Sequence, residues 1–352
     1  MRRYRSLAVL LAVTVLTACG AAEKLSPRVA VRDAARATTS QKEGTFTLSV
    51  VGSEADMNTL FNHGTELSAE DREGLNLLRN GHIAFSTGAG KFGLDVKAGD
   101  LDHAVELRMI DKKLYARADI AGIAKLAGSS PEQVTGSIRG MASQAGFGFL
   151  SAAAAGRWIV ADLSTLGGLF DKFGQQFGVG TGAGAPTGST VDPQAASRYQ
   201  VLRDAIGKAF SEDISVTKLG SDSVGDHYLG TVASLRGFYA KVRPALMQEM
   251  GMLSNTYQLP PDSALPDRPA SLDIWVKSGR VSRLELGLAQ FLPAPPQAGP
   301  VAIRLDIDGE AAALTAPSDA VNVDIAGIIQ KFAGQFTNQF GGLLGGVGGI
   351  RG

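Results

Sequence analysis

The chain has 352 residues, enough for one large domain or two moderate ones, and 44% hydrophobic against 19% charged side chains exclude a disordered polymer. Its 34 basic and 34 acidic residues cancel, which removes the basic face that nucleic-acid binding needs. The single cysteine excludes an internal disulfide, so the fold rests on packing.

At the amino end, Arg2, Arg3 and Arg5 precede an apolar run from Leu7 to Leu16, long enough for a secretory segment and too short to span a bilayer. Leu16-Thr17-Ala18-Cys19 follows, a pattern that resembles a bacterial lipobox. The resemblance implies that residues 1–18 are a signal peptide and that the Cys19 thiol takes a diacylglyceryl group. The alternative is an ordinary exported protein with one free thiol. At roughly 0.8 kcal/mol per buried methylene, two chains on Cys19 would hold the protein at the extracytoplasmic face of the cell membrane. Residues 19–28 then form the lipidated cysteine and its tether.

Val29 to Lys42 reads as a helix ended by Gly44. Thr45 to Val50 alternates strictly, with Phe46, Leu48 and Val50 on one face. Between Glu54 and Asn80, Ser68-Ala-Glu-Asp71 reads as a helix start and Asn80-Gly81 as a turn. Ile83 and Phe85, then Phe92, Leu94 and Val96, then Val105, Leu107 and Met109, and finally Leu114 and Ala116 continue the one-sided pattern. Their partners are polar (Lys91, Asp95, Lys97, Glu106, Arg108), as in an antiparallel meander with one apolar side. Asp119, Asp162 and Asp324 each stand before a short apolar helix-like stretch in a small internal repetition. Aspartate caps helices well, which explains the repetition simply; alternatively these capped helices close one mouth of the sheet.

Residues 174–191 are Gly-rich and nearly chargeless, a flexible linker. Gly178, Gly180, Gly182 and Gly184 follow a helix rather than a strand and lack a Lys-Ser/Thr pair, which argues against a phosphate loop. Asp192-Pro193 opens a helix reaching about Phe210. Strands return at Ile214–Val216 and Tyr228–Val232, and an amphipathic helix from Leu235 to Met250 is interrupted or kinked at Pro244. Leu272, Ile274 and Val276, the turn Ser278-Gly279, and Leu284, Leu286 and Leu288 make a hairpin, and Val301 to Ile307 one more strand. A helix from Asp324 to Phe336 leads into a Gly-rich tail, residues 341–352, expected to be disordered. The count is about eleven strands interleaved with helices, an α+β chain whose folded body covers residues 29–340.

The lipobox, the helix bearing Ala35-Arg-Ala-Thr-Thr39, the strand Gly44-Thr-Phe-Thr-Leu-Ser-Val50 and the later Pro269-Ala-Ser-Leu-Asp-Ile-Trp-Val-Lys-Ser-Gly-Arg-Val281 together resemble the actinobacterial LppX/LprG-type lipoproteins, relatives in fold of LolA and LolB. The resemblance implies a curved antiparallel sheet, a half-barrel, with helices covering its concave face and an apolar cavity between them for acyl chains of lipids or lipoglycans. The chain is longer than that family's pattern, chiefly at 54–80, 128–156 and the Gly-rich linker, which leaves room for a second, smaller sheet.

Little in the sequence points to catalysis. His63, His82, His103 and His227 show no metal-ligand spacing, and no Gly-x-Ser-x-Gly elbow occurs. Asp306 and Asp308 read as a wetted strand face, Trp158 and Trp275 as packing residues. The chain is therefore expected to be no enzyme and to need no cofactor or metal. The expected role is binding of lipid or lipoglycan acyl chains for carriage at the cell envelope, with Phe46, Leu48, Val50, Phe85, Phe92, Leu94, Val96, Leu107, Met109, Ile274 and Leu286 lining the cavity. Its partners are the membrane through Cys19 and an envelope protein or transporter. The alternatives are an envelope module with a plugged core, its space filled by Phe170, Phe173, Phe238 and Tyr239, and, less well supported, a hydrolase.

Overall fold

The computed structural model describes residues 26–61, 79–144, 146–166, 208, 212–250, 259–292, 299–310 and 312–324. Cys19, His63, the helix start at 68–71, Phe170, Phe173, the linker 174–191, the helix expected at 192–210 apart from residue 208, the helix after Asp324 and the tail 341–352 lie outside them. The chain divides into two units: residues 1–88, 98–100 and 187–312, and residues 89–97, 101–186 and 313–352.

In the first unit, helix α1 spans Pro27–Thr39. It begins two residues before the apolar pattern does, because Ser26 caps the amide of Val29 and Pro27 supplies a first-turn φ at no hydrogen-bond cost. It ends before Lys42 because the hydroxyls of Thr39 and Ser40 return to the carbonyls of Arg36 and Ala37. Gly44 is thus no cap. It opens strand β1 (Gly44–Val51), where a Cβ would stand 2.9 Å from the Asp308 carbonyl oxygen. Helix α2 (Glu54–Phe61) follows, then β2 (His82–Gly88).

The unit's other strands are β7 (Ile214–Ser221), β8 (Asp226–Val232), β9 (Ala270–Lys277), β10 (Arg280–Gly287) and β11 (Ala302–Asp308), ordered β2-β1-β11-β10-β9-β8-β7. Each of these pairings is antiparallel. Residues directly opposite share a face, so the register places Ile83 and Phe85, Leu48 and Phe46, Leu305 and Ile307, Leu284 and Ile274 in one apolar layer. Helix α6 (Leu235–Met250) packs Tyr239, Val242 and Leu246, all essentially inaccessible, into the same cluster as Ile274 and Leu284. It runs unbroken through Pro244, since this burial on both sides outweighs the one lost hydrogen bond.

In the second unit, β3 (Lys91–Ala98), β4 (Leu101–Ile110), β5 (Lys113–Ala118) and β6 (Ile159–Asp162) are followed by a short parallel strand, β12 (Val321–Val323), beside β6. The helices α3 (Ile120–Leu126), α4 (Pro131–Ala142) and α5 (Phe149–Ala154) lie between β5 and β6 in the chain. Among the described residues there are twelve strands rather than about eleven, because three-residue β12 is too short to show a period. The α+β class and the predominantly antiparallel pairing stand as expected.

Candidate functional site

The two faces of the second unit's sheet differ sharply. On one, the register aligns Val105 with Ala118, Leu107 with Ala116 and Met109 with Leu114, then Leu114 with Ala161 and Ala116 with Ile159. Strand β3 adds to it. The Cβ direction of Gly93 meets Leu314, which packs with Ile110, Tyr115 and Trp158 on the opposite face, so Phe92, Leu94 and Val96 point to the Leu107 side. Every residue in this row is apolar. Met109 is buried, whereas Leu94, Val96, Val105, Leu107 and Leu114 are half-buried.

Of the described helices that follow β5, α3 packs at β4 and α5 at β6 and β12. Asp119 caps α3 by accepting from the Gly122 amide at 2.8 Å. Gly122 itself lets α3 approach Leu101, whose methyls would stand 2.7–2.8 Å from a Cβ there. Phe149 of α5 packs with Ala161, Leu163 and Val323 at the β6 end. Between them, α4 buries only Thr135 and leaves Met141 about half exposed. None of the buried clusters among the described residues takes in Leu94, Val96, Val105 or Leu107.

The other face sets ion pairs beside the apolar cluster of Ile110, Tyr115 and Trp158, and is closed by its own chain. Glu106, 6% exposed, receives Arg108 at 3.1 Å and Arg117 in a still closer contact, and both guanidiniums lie over the Trp158 ring at 4.7 and 4.9 Å. The segment 313–320 crosses this face. Its carbonyl oxygens at Leu314, Thr315 and Asp319 accept from Lys91, Arg108 and Arg157. Asp95, His103 and Glu106 bring ligand atoms within 4.8 Å of one another, a juxtaposition no sequence spacing reveals. Two guanidiniums already neutralise Glu106 and Asp95 holds His103 at 3.0 Å, so the set reads as an ion-pair cluster, not a cation site. Asp162, opposite Lys113, is held below the usual carboxylate range by its hydrogen bonds from Ser164, with the lysine adding to the effect.

The other lining residues expected from the sequence fall in the first unit. Phe46 and Leu48 are half-buried beside the main cluster, Val50 packs near Met57, Leu60 and Val301, and Ile274 and Leu286 lie within the cluster beneath α6. Phe85 is half-buried and faces Phe46 in the register. That unit's opposite face carries Arg283–Asp306 at 2.6 Å and Arg304–Glu285 at 2.7 Å, and His227 stacked 4.1 Å from Trp275 with its Nε2 2.8 Å from Asp273. Both tryptophans are buried on polar faces and engaged by arginine or histidine, and Asp306 is ion-paired.

No protein-family model matches the chain, and no curated protein matches it. Among solved structures, the chain resembles LppX and LprF. The Mycobacterium tuberculosis lipoprotein LppX superposes at a TM-score of 0.31 and 8% identity, covering 82% of this chain and 97% of that one. LprF from Mycobacterium bovis gives 0.32 and 11%, covering 84% and 97%. This is the resemblance read from the sequence. At TM-scores of about 0.3, it carries nothing about function.

Proposed function

We propose that the protein binds the acyl chains of a lipid on the apolar face of the second unit's sheet, as a membrane-anchored carrier at the cell envelope. The observation behind this is the row Leu94, Val96, Val105 and Leu107: on neighbouring strands, wholly apolar, half-buried and outside the buried clusters of the described residues. Stable proteins bury such a row unless something else covers it. Acyl chains fit, since the row offers them no charge to desolvate, and movement from bilayer to site exchanges one apolar surround for another. In this reading, Cys19 carries the anchor and an envelope protein or transporter receives the cargo.

The first unit favours the plugged-core alternative for its own half, because α6 fills the space above Ile274 and Leu284 with Tyr239, Val242 and Leu246.

The test is the chain from Gly20 onward, purified without detergent and examined by native mass spectrometry and organic extraction. It is expected to carry lipid. Leu94→Gln with Leu107→Gln should lower lipid occupancy at least tenfold, about 1.4 kcal/mol, because polar side chains replace apolar contact area. The denaturation midpoint should barely move, as neither residue belongs to a buried cluster of the described residues. Repeatedly lipid-free preparations would refute the proposal.

A further inference from the structure

The hairpin between β4 and β5 turns on Asp111 and Lys112, both in the left-handed region at φ 51° and 62°. Two-residue hairpins of this kind call for glycine at the second turn position. The chain obeys at Ala89-Gly90 (50° and 75°) and Ser278-Gly279 (52° and 75°), so among the described residues only this turn places a lysine there. A side chain in that conformation lowers stability. The strain is locked in, because the Lys112 carbonyl accepts from the Leu163 amide at 3.0 Å.

The position explains what the lysine could be for. Met109 and Leu114 are the last opposed pair of the apolar row, and the next pair, Ile110 and Lys113, closes onto the turn. Lys112 and Lys113 are exposed at that end. Of the other charges at these strand ends, Asp162 is engaged by Ser164, Lys91 donates to the Leu314 carbonyl, and Asp111 is exposed in the turn itself. A cation thus stands where the apolar row meets water, at a cost to the fold.

We propose that Lys112 contacts the phosphate of a lipid headgroup, making the site selective for anionic phosphate-bearing lipids; this rests on the acyl-chain reading above. Ammonium–phosphate contacts are charge-assisted and favour the charged ligand over its neutral counterpart.

The test compares phosphatidic acid, diacylglycerol with the same chains, and inorganic phosphate, each added to the chain from Gly20 onward. The unaltered chain should bind phosphatidic acid on the order of tenfold tighter than diacylglycerol and inorganic phosphate far more weakly. Lys112→Gly should raise Tm by about 2–4 °C through relief of strain and abolish the preference. Lys112→Arg should retain the preference. A Lys112→Gly chain that keeps it, or an unaltered chain binding both lipids equally, overturns this proposal alone. Inorganic phosphate binding as tightly as phosphatidic acid would mark a free-anion site and also overturn it. Failure of both lipids to bind the unaltered chain overturns the acyl-chain reading with it.

Discussion

Glu106 shows how single side chains hold this protein together. Its carboxylate is almost inaccessible, yet it bridges two arginines that also cover Trp158, so charge, aromatic packing and the crossing segment 313–320 meet at one residue. Glu106→Gln would leave both guanidiniums with a neutral partner. The expected loss is about 3 kcal/mol, the lower end for a broken buried pair because the arginines reach water, read as a shift in the denaturation midpoint. Thr38 plays a smaller part of the same kind. Its hydroxyl donates to the Ala34 carbonyl and accepts from the Val281 amide at 2.9 Å, joining α1 to β10. Thr38→Val should cost about 1–2 kcal/mol by leaving that buried amide without its hydroxyl acceptor, again checked by denaturant titration.

Among the elements, β7 ends the order of the described strands and so stands at a sheet edge. Two features blunt it: a register shift between Lys218 and Gly220, and the Lys218 charge, paired with Asp226 at 3.0 Å beside exposed Leu219. Inward charge and irregular register are the usual protection of such edges. Lys218→Val should therefore promote concentration-dependent association, visible by light scattering, while leaving the monomer's stability within about 0.5 kcal/mol. Helix α6 makes the complementary point. Tyr239 and Arg243 both donate to the Pro260 carbonyl and Arg236 to that of Leu265, so a helix carrying an interior proline is secured from outside its own ladder.

For the whole molecule, the carboxylates set the response to acid. Asp56, Asp222 and Asp226 are all held below their ordinary range, chiefly by hydrogen bonds from Ser53, Trp275 and Ser221 respectively. A depressed folded pKa contributes stability that is full above the unfolded value and is lost as pH falls through the folded one. Lys218 and Lys241, raised chiefly by Asp226 and Asp213, contribute stability that is full below the ordinary lysine value and is lost as pH rises through the raised one. From these groups, the denaturation midpoint is expected to be level between about pH 5 and pH 9 and to fall below about pH 4. A steep decline already near pH 6 would contradict it.

Strict alternation in β1, β4, β9 and β10 was readable in the chain because a pleated strand sends successive side chains to opposite faces, so the apolar side follows from spacing alone. The Ser278-Gly279 turn was readable for a similarly local reason, since its φ values demand glycine. What covers an apolar face is a long-range matter. Leu107 and Ile274 occupy equivalent places in their alternations, yet Ile274 joins α6 in one buried cluster, while no buried cluster of the described residues takes in Leu107. The Glu106 cluster draws on β4 and β5, Trp158 and a segment some two hundred residues later, which no local period records. The sequence by itself determined the class, the strands and their apolar sides, because those depend on neighbours along the chain. Only the tertiary structure decided which side became core and which remained half-open, because that depends on which distant helix arrives to cover it.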